Sequence, residues 1–309
     1  MSPRSTFTFT DPDEFEIFVY KWTPPPETSL QGVVQIAHGA AEHALRYERF
    51  AEYLNEAGYV VYANDHRGHG KTAGDLDKAG IAGEDGWNGM MRDVKQLTDI
   101  IKEQNPGLPF FFFGHSMGSL IAQRYMQLWG QGVQGAVLSG TFGSLGDNLE
   151  GTLAMAQQAV EQQGADQPSL LFQGMFATFN DPFAPGKTGF EWLSRDATEV
   201  QKYVDDPWCG FAFSNGLVAD MFGGALDAWK PENEKKIPRG LPVYVVSGDK
   251  DPAGAFTASV RDLLSRYEAY GLDNVTHKFY ADARHEILNE TNRDEVHQDI
   301  VSWFRQQAA

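Results

Sequence analysis

Three residue types that together make an activated nucleophile, a serine, a histidine and an aspartate, stand in chemically useful settings in this chain of 309 residues. Ser116 lies in Gly114-His115-Ser116-Met117-Gly118. A serine on a tight strand-to-helix corner points its hydroxyl away from the end of a sheet. The residues two positions to either side must be small, because strand and helix crowd there. The bare pattern G-x-S-x-G occurs in many glycine-rich loops. Here its flanks give it meaning: the four phenylalanines Phe110 to Phe113 precede it as a buried strand, and "SLIAQRYMQLW" follows as an apolar helix.

A serine hydroxyl needs a base, and the base needs a carboxylate to orient it. Where serine, acid and histidine follow in that chain order, the base is sought near the C-terminus. His277, His285 and His297 are the histidines there. His277 falls inside the strand "VTHKFY", where it packs or faces solvent, and His297 is expected at the surface of the last helix. His285, in the loop "ADARHEILNE" just past the last strand, is the expected base. For the acid, "VVSGDKD" offers Asp249 and Asp251, and spacing alone does not separate them. Asp282 and Glu286 flank His285 but fit the chain order less well. An oxyanion needs two backbone N–H donors. Met117, next after the serine, supplies one. Ala40, in "HGAAEH" after an early strand, supplies the other.

The elements that must position these residues alternate along the chain. Residues 5–20 read as a hairpin around "TDPDE". Strands follow at 32–39, 59–65, 109–116, 135–140, 241–251 and 275–280. Helical periodicity appears at 47–57, 86–104, 119–129, 257–270 and 294–306. Continuous apolar strands alternating with helices imply an α/β fold with a mostly parallel sheet covered on both faces. The rhythm breaks for about a hundred residues after Gly140, too many for a plain loop. The expected organisation is therefore core at 1–140, a helical lid or cap insertion at 141–239, and core again at 240–309.

The stretches "HGAAEH", "DHRGHGKT", "GHSMG", "SGDKDPAG" and "RHEILNETN" together resemble the serine α/β-hydrolases of the monoacylglycerol lipase and bacterial lysophospholipase group. The resemblance runs from about His38 to Phe304 and extends to "FEWLSRDATEVQKYVDDPWCGF" in the insertion. It implies an α/β-hydrolase fold, Ser116 as nucleophile, His285 as base, and Asp251 rather than Asp249 as acid, three residues after the glycine. It supports Ala40 and Met117 as oxyanion donors. It also implies an ester hydrolase acting on single-chain acyl esters, monoacylglycerol-like or lysophospholipid-like, through an acyl-enzyme and without a cofactor. Two departures are visible, Thr72 for a frequent serine and the alanine of "DPAGAF" for a frequent valine. The second bears on the local shape behind Asp251. Rival readings are an acyltransferase, a C–C hydrolase or a perhydrolase on the same fold, and a catalytically silent protein that binds a hydrophobic ligand or a partner.

Composition narrows the field. Lys plus Arg number 25 and Asp plus Glu 42, a net charge of −17, which disfavours nucleic acid and anionic membrane surfaces. The single cysteine, Cys209, permits no disulfide within one chain and reads as a packed thiol. With no secretory h-region at the start and no apolar run long enough to span a bilayer, the expectation is a cytoplasmic protein without stable membrane insertion. Its expected partner is a small-molecule acyl ester; oligomeric state is not readable. Metal is not expected, because "HRGH" and "HGAAEH" lack H-E-x-x-H spacing; their histidines should hold loops by hydrogen bonds. "GKT" at 70–72 fails as a phosphate loop, since residue 65 is aspartate. The insertion's large apolar residues, among them Phe172, Phe176, Trp192 and Phe211, should form its own core and in part roof an acyl pocket. Glu42 and Arg46 are assigned a polar rim for the head group.

Overall fold

The computed structural model describes residues 4–144 and 148–308. Residues 145–147 of the expected insertion lie outside them. Eight strands form one sheet: β1 (Arg4–Thr10), β2 (Glu16–Trp22), β3 (Gly32–Ala37), β4 (Tyr59–Asn64), β5 (Phe110–His115), β6 (Gly135–Ser139), β7 (Val243–Gly248) and β8 (Val275–Tyr280). Their order is β1-β2-β4-β3-β5-β6-β7-β8. β1 and β2 pair antiparallel with each other, and β2 with β4; every pairing from β4 through β8 is parallel. This is the expected α/β-hydrolase architecture, a mostly parallel sheet with helices around it.

The helices are α1 (Glu48–Glu56), α2 (Gly70–Ala73), α3 (Gly86–Gln104), α4 (Met117–Trp129), α5 (Leu149–Gln163), α6 (Leu170–Phe179), α7 (Ala197–Asp205), α8 (Asn215–Ala228), α9 (Pro231–Glu234), α10 (Ala258–Ala269) and α11 (Arg293–Ala308). α5 to α9 all fall between β6 and β7. Among the described residues, no helix is long and apolar enough to cross a membrane.

Strand β5 shows why the apolar runs do not alternate with polar residues. Phe110 and Phe112 point into the core on one face of the sheet, Phe111 and Phe113 into the core on the other. Phe112 stacks on Tyr125 of α4 at 4.7 Å, while Phe111 meets Phe304 of α11 at 4.8 Å and Phe113 meets Phe50 of α1 at 5.3 Å. Each such side chain contributes about 1.5–3 kcal/mol on burial, so β5 is anchored from both sides.

The strand order reverses at β3. The chain leaves β3 for β4 on one side, and β5 occupies the other. The connections diverge there and open a crevice at the carboxyl ends of the strands, the usual place for a ligand in an open α/β sheet. Ala37 at the end of β3 is in register with Gly114 near the end of β5.

One histidine differs from expectation. His297 is not at the surface: it is 2% exposed, its Nε2 lies 3.2 Å from the Leu288 carbonyl oxygen, and its ring packs against Phe50 and Tyr53. It sits on the apolar stripe of α11 with Ile300, Val301 and Phe304, which are also buried. His277 is exposed.

Candidate active site

Ser116 has φ 53° and ψ −120°, a conformation that side-chain-bearing residues rarely adopt. The surroundings hold it there. Its N–H donates to the Ser139 carbonyl at 3.0 Å, and its carbonyl accepts from the Ser119 N–H at 2.8 Å and the Ser119 hydroxyl at 2.6 Å. The chain can make this corner because Gly114 and Gly118 have no side chain. A Cβ on Gly118 would collide with the carbonyl oxygens of Ala37 and His38, and one on Gly114 with that of Gly118. The expected corner is thus present, at the start of α4 and at the strand-order reversal.

His285 lies on the loop after β8, at the same end of the sheet. Its Nδ1 is 2.8 Å from Asp251 Oδ2, and the two residues are 3% and 0% exposed. The second Asp251 oxygen accepts the Ala253 N–H at 2.9 Å. Asp249 faces elsewhere and accepts the Asp282 N–H at 2.8 Å. Behind Asp251, Ala255, Phe256 and Thr257 all take left-handed backbone angles, φ 49°, 53° and 75°, and the Phe256 N–H returns to the Asp251 carbonyl at 2.8 Å. That turn is the local shape the departure in "DPAGAF" bears on. Burial pulls the His285 pKa down, but the charge and hydrogen bond of Asp251 outweigh it and leave the imidazole above its ordinary value. His115, 4.8 Å from His285 ring to ring, is pushed down to about 3 by burial and by His285, and so is neutral.

The turn after β3 is tied down on both sides of Ala40. The Gly39 N–H donates to Glu42 Oε1 at 2.6 Å, and the Ala41 N–H to His69 Nε2 at 3.3 Å. The Ala41 carbonyl accepts the Tyr203 hydroxyl and the Gly210 N–H, each at 2.9 Å. Among the described residues, the Ala40 and Met117 N–H groups donate to no protein acceptor. Two free N–H groups beside the serine corner suit a developing oxyanion. The loop histidines hold loops, as the sequence led one to expect. His38 Nδ1 donates to the Gly39 carbonyl at 2.8 Å while its Nε2 accepts the His66 N–H at 3.0 Å, and His69 Nδ1 donates to the Arg67 carbonyl at 2.9 Å.

Glu42 and Arg46 do not lie at a polar rim. Glu42 is 3% exposed and also accepts the Tyr47 hydroxyl at 2.7 Å. Arg46 pairs with Glu42 at 2.5 Å and forks onto both Glu286 oxygens at 2.6 and 2.8 Å. Its guanidinium lies 4.8 Å from the centre of the Tyr203 ring. The reason is charge: a buried glutamate on each side draws the arginine inward, where its fork satisfies both. Burial pushes the Glu286 carboxyl up, but Arg46 brings it down to about 2.

Sequence reading passed over Tyr47, Tyr203 and the pairing of Glu286, which joins positions 240 residues apart. It also gave no role beside the histidine to Trp192, whose ring lies 4.9 Å from that of His285. The His285 and Glu286 N–H groups donate to the Trp192 and Leu193 carbonyls at 3.3 and 2.7 Å. A cavity of about 420 Å³ is lined by Ala41, Phe172, Phe176, Phe190, Tyr203 and Phe211.

The chain as a whole is similar to known proteins. The family model Hydrolase_4, described as serine aminopeptidase, S33, matches residues 28–292. The chain is 29% identical over 303 residues to the monoacylglycerol lipase of Mycolicibacterium smegmatis, with 98% of each chain covered. It is 36% identical over 286 residues to the monoglyceride lipase of Homo sapiens, covering 89% of this chain and 85% of the human one. A highly thermostable carboxyl esterase from Bacillus coagulans, solved in complex with glycerol, matches over 100% of both chains at a TM-score of 0.91 and 31% identity.

Proposed function

The chain belongs to the Hydrolase_4 family of serine aminopeptidase S33 type and is a serine hydrolase of the lipase and esterase kind, and on that premise we propose that it cleaves single-chain acyl esters such as monoacylglycerols. The observation that carries the reading is the buried His285–Asp251 pair at 2.8 Å, at the sheet end that also carries the Ser116 corner. With its Nδ1–H donated to Asp251, the imidazole presents Nε2 as a base. It takes the Ser116 proton as the oxygen attacks the carbonyl carbon, then returns that proton to the leaving alcohol. Water repeats the sequence on the acyl-enzyme. The N–H groups of Ala40 and Met117 receive the oxyanion. Residues 141–239 act as the lid, and the aromatic cavity that Ala41 helps to line takes the acyl chain.

The substrate class draws support from relatives that match along nearly the whole chain and are named for monoacylglycerol. The apolar walls of the cavity suit a hydrocarbon. Lysophospholipid is the second member of the class, with the head group as the variable. A fluorophosphonate probe should label the wild type and leave Ser116→Ala unlabelled. A panel of esters varying in acyl length and head group, with an aminoacyl p-nitroanilide alongside, should give turnover on long-chain monoacylglycerols and none on the anilide. Absence of labelling in both proteins would point to the silent, ligand-binding reading. Product analysis with competing acceptors separates hydrolysis from acyl transfer, C–C cleavage and perhydrolysis.

A further inference from the structure

One group of side chains takes no part in the ester chemistry. His43, on the chain after the β3 turn, meets the turn Asp206-Pro207-Trp208-Cys209 that follows α7. Imidazole nitrogen, carboxylate oxygen and thiol sulfur all lie within 4.8 Å of one another. No sequence motif joins these three positions; folding brings them together.

The turn is built to present two of them. The Cys209 N–H donates to the Asp206 carbonyl at 3.0 Å, closing the turn so that its first and last side chains converge. Asp206 Oδ1 is engaged by the Trp208 N–H at 2.9 Å, which aims Oδ2 at His43 Nε2, also at 2.9 Å. His43 is 8% exposed, whereas the Asp206 side chain retains 29% of its surface. The group is thus anchored on one side and open to solvent on the other. The adjoining residue Gly210 donates to the Ala41 carbonyl, so the turn is already seated against the core at this point.

Donor chemistry agrees with the geometry. A nitrogen, an oxygen and a sulfur are together a borderline-soft set that suits zinc. Zinc bonds of about 2.0–2.3 Å at tetrahedral angles set donors about 3.3–3.7 Å apart, a contraction within reach of side-chain rotation.

We propose that His43, Asp206 and Cys209 form a zinc-binding site that clips the turn after α7 to the turn after β3. On binding, Cys209 gives up its thiol proton to solvent and its sulfur bonds the metal. The hydrogen bond from His43 Nε2–H to Asp206 Oδ2 breaks and its proton is exchanged through solvent onto Nδ1, so that Nε2 and Oδ2 both turn to the metal, and water completes the tetrahedron. The site is independent of the ester-hydrolase reading.

Cobalt(II) is the spectroscopic probe, and Cys209 is the chain's one cysteine, so any thiolate-to-cobalt band reports on it alone. Titration of untagged full-length protein with Co²⁺ should saturate at one equivalent, with a near-ultraviolet thiolate band and the strong visible absorption of a tetrahedral site. Zn²⁺ should bleach both by displacing Co²⁺, and when added instead to the metal-free protein it should release about one proton per equivalent at neutral pH. Cys209→Ser should lose the near-ultraviolet band, and His43→Gln and Asp206→Asn should each weaken Co²⁺ binding at least about tenfold. Zn²⁺ should raise the thermal midpoint of the wild type and not that of Cys209→Ser. Absence of a thiolate band at millimolar Co²⁺, or wild-type affinity in both His43→Gln and Asp206→Asn, would overturn the proposal.

Discussion

Asp249 and Asp251 stand two positions apart, and their surroundings assign them different work. Asp251 is fully buried against His285, whereas Asp249 accepts one backbone N–H at the edge of its loop. In the proposed mechanism Asp251 fixes which imidazole nitrogen carries the proton and stabilises the imidazolium that forms. Asp251→Asn should lower kcat by about 10³–10⁴-fold, and Asp249→Asn should leave it within about threefold, since surface substitutions away from special features change little. Steady-state kinetics on one soluble ester decides the order; a reversal would assign the acid to Asp249. The same pair sets the pH response. The folded-state pKa of His285 lies above the ordinary 6.5, and the protonated ring cannot accept the Ser116 proton. The kcat/KM profile should therefore rise with pH through a midpoint above 6.5. Glu286 is among the charges that raise this pKa, so Glu286→Gln should move that midpoint down. A wild-type midpoint below 6.5 would contradict the assignment of His285 as base.

Between elements, the relevant unit is the turn after β3 and what holds it. Tyr203, on α7 in the segment between β6 and β7, donates its hydroxyl to Ala41 and lies under Arg46, which joins Glu42 on that turn to Glu286 on the loop after β8. The turn with the proposed oxyanion donor and the loop with the proposed base are therefore fastened through one buried cation. Tyr203→Phe deletes the hydroxyl, which donates to the Ala41 carbonyl and accepts the Gly210 N–H, and keeps the ring. It should cost about 0.5–1.5 kcal/mol of stability and lower kcat about 3–10-fold with KM nearly unchanged, read from initial rates on the same ester. A larger rise in KM than fall in kcat would make Tyr203 a wall of the cavity rather than a brace of the turn. Arg46→Ala would strand two buried carboxylates and destabilise by about 3–5 kcal/mol, which is why the tyrosine is the cleaner probe. The elements themselves were largely legible. Strands buried on both faces write continuous apolar runs such as "GVVQIA" and "FFFF", and the helix at 86–104 shows its period through Met90, Val94, Leu97 and Ile101. That Ser116 and His285 fall at one end of the sheet is legible because each stands next to a strand end. The buried network was not, because Arg46 and Glu286 are 240 residues apart and nothing local marks a charge as inward-facing. In the segment between β6 and β7, apolar residues serve both a local core and a cavity wall, so their spacing did not define where α5 to α9 begin and end. His297 was legible in principle: it falls at helical spacing with Ile300, Val301 and Phe304, and its polarity alone suggested the surface.

Across the whole molecule the histidines add up. Burial is the leading cause that holds His38 well below its ordinary pKa and pushes His66 and His115 down to about 3 and His69 and His297 to about 4. All five are neutral in the folded chain near pH 5, whereas in the unfolded chain each titrates near 6.5. Between about pH 4 and 6.5 the unfolded state thus binds more protons at these five sites, so their combined effect is stability that falls as the pH falls. Buried carboxyls act the other way: burial raises Asp65, Asp220 and Glu234 above their ordinary values and Asp93 to about 7. A single-site difference isolates the histidine contribution from that offset. His297 lies on α11, and its Nε2 bonds the Leu288 carbonyl in the loop that also carries His285. A glutamine there reaches the same carbonyl with a group that does not titrate. Stability measured by urea unfolding at several pH values should fall less steeply below pH 6 in His297→Gln than in the wild type. The slope should be smaller by nearly one proton, about 1.4 kcal/mol per pH unit at most, while the two proteins run parallel above pH 7.5. Parallel curves at every pH would mean that His297 is charged in the folded chain, against the burial that surrounds it. If the curves diverge as expected, acid destabilises the molecule in part by prying the His285 loop from α11, and activity at pH 5 should then be lost on incubation faster in the wild type than in His297→Gln.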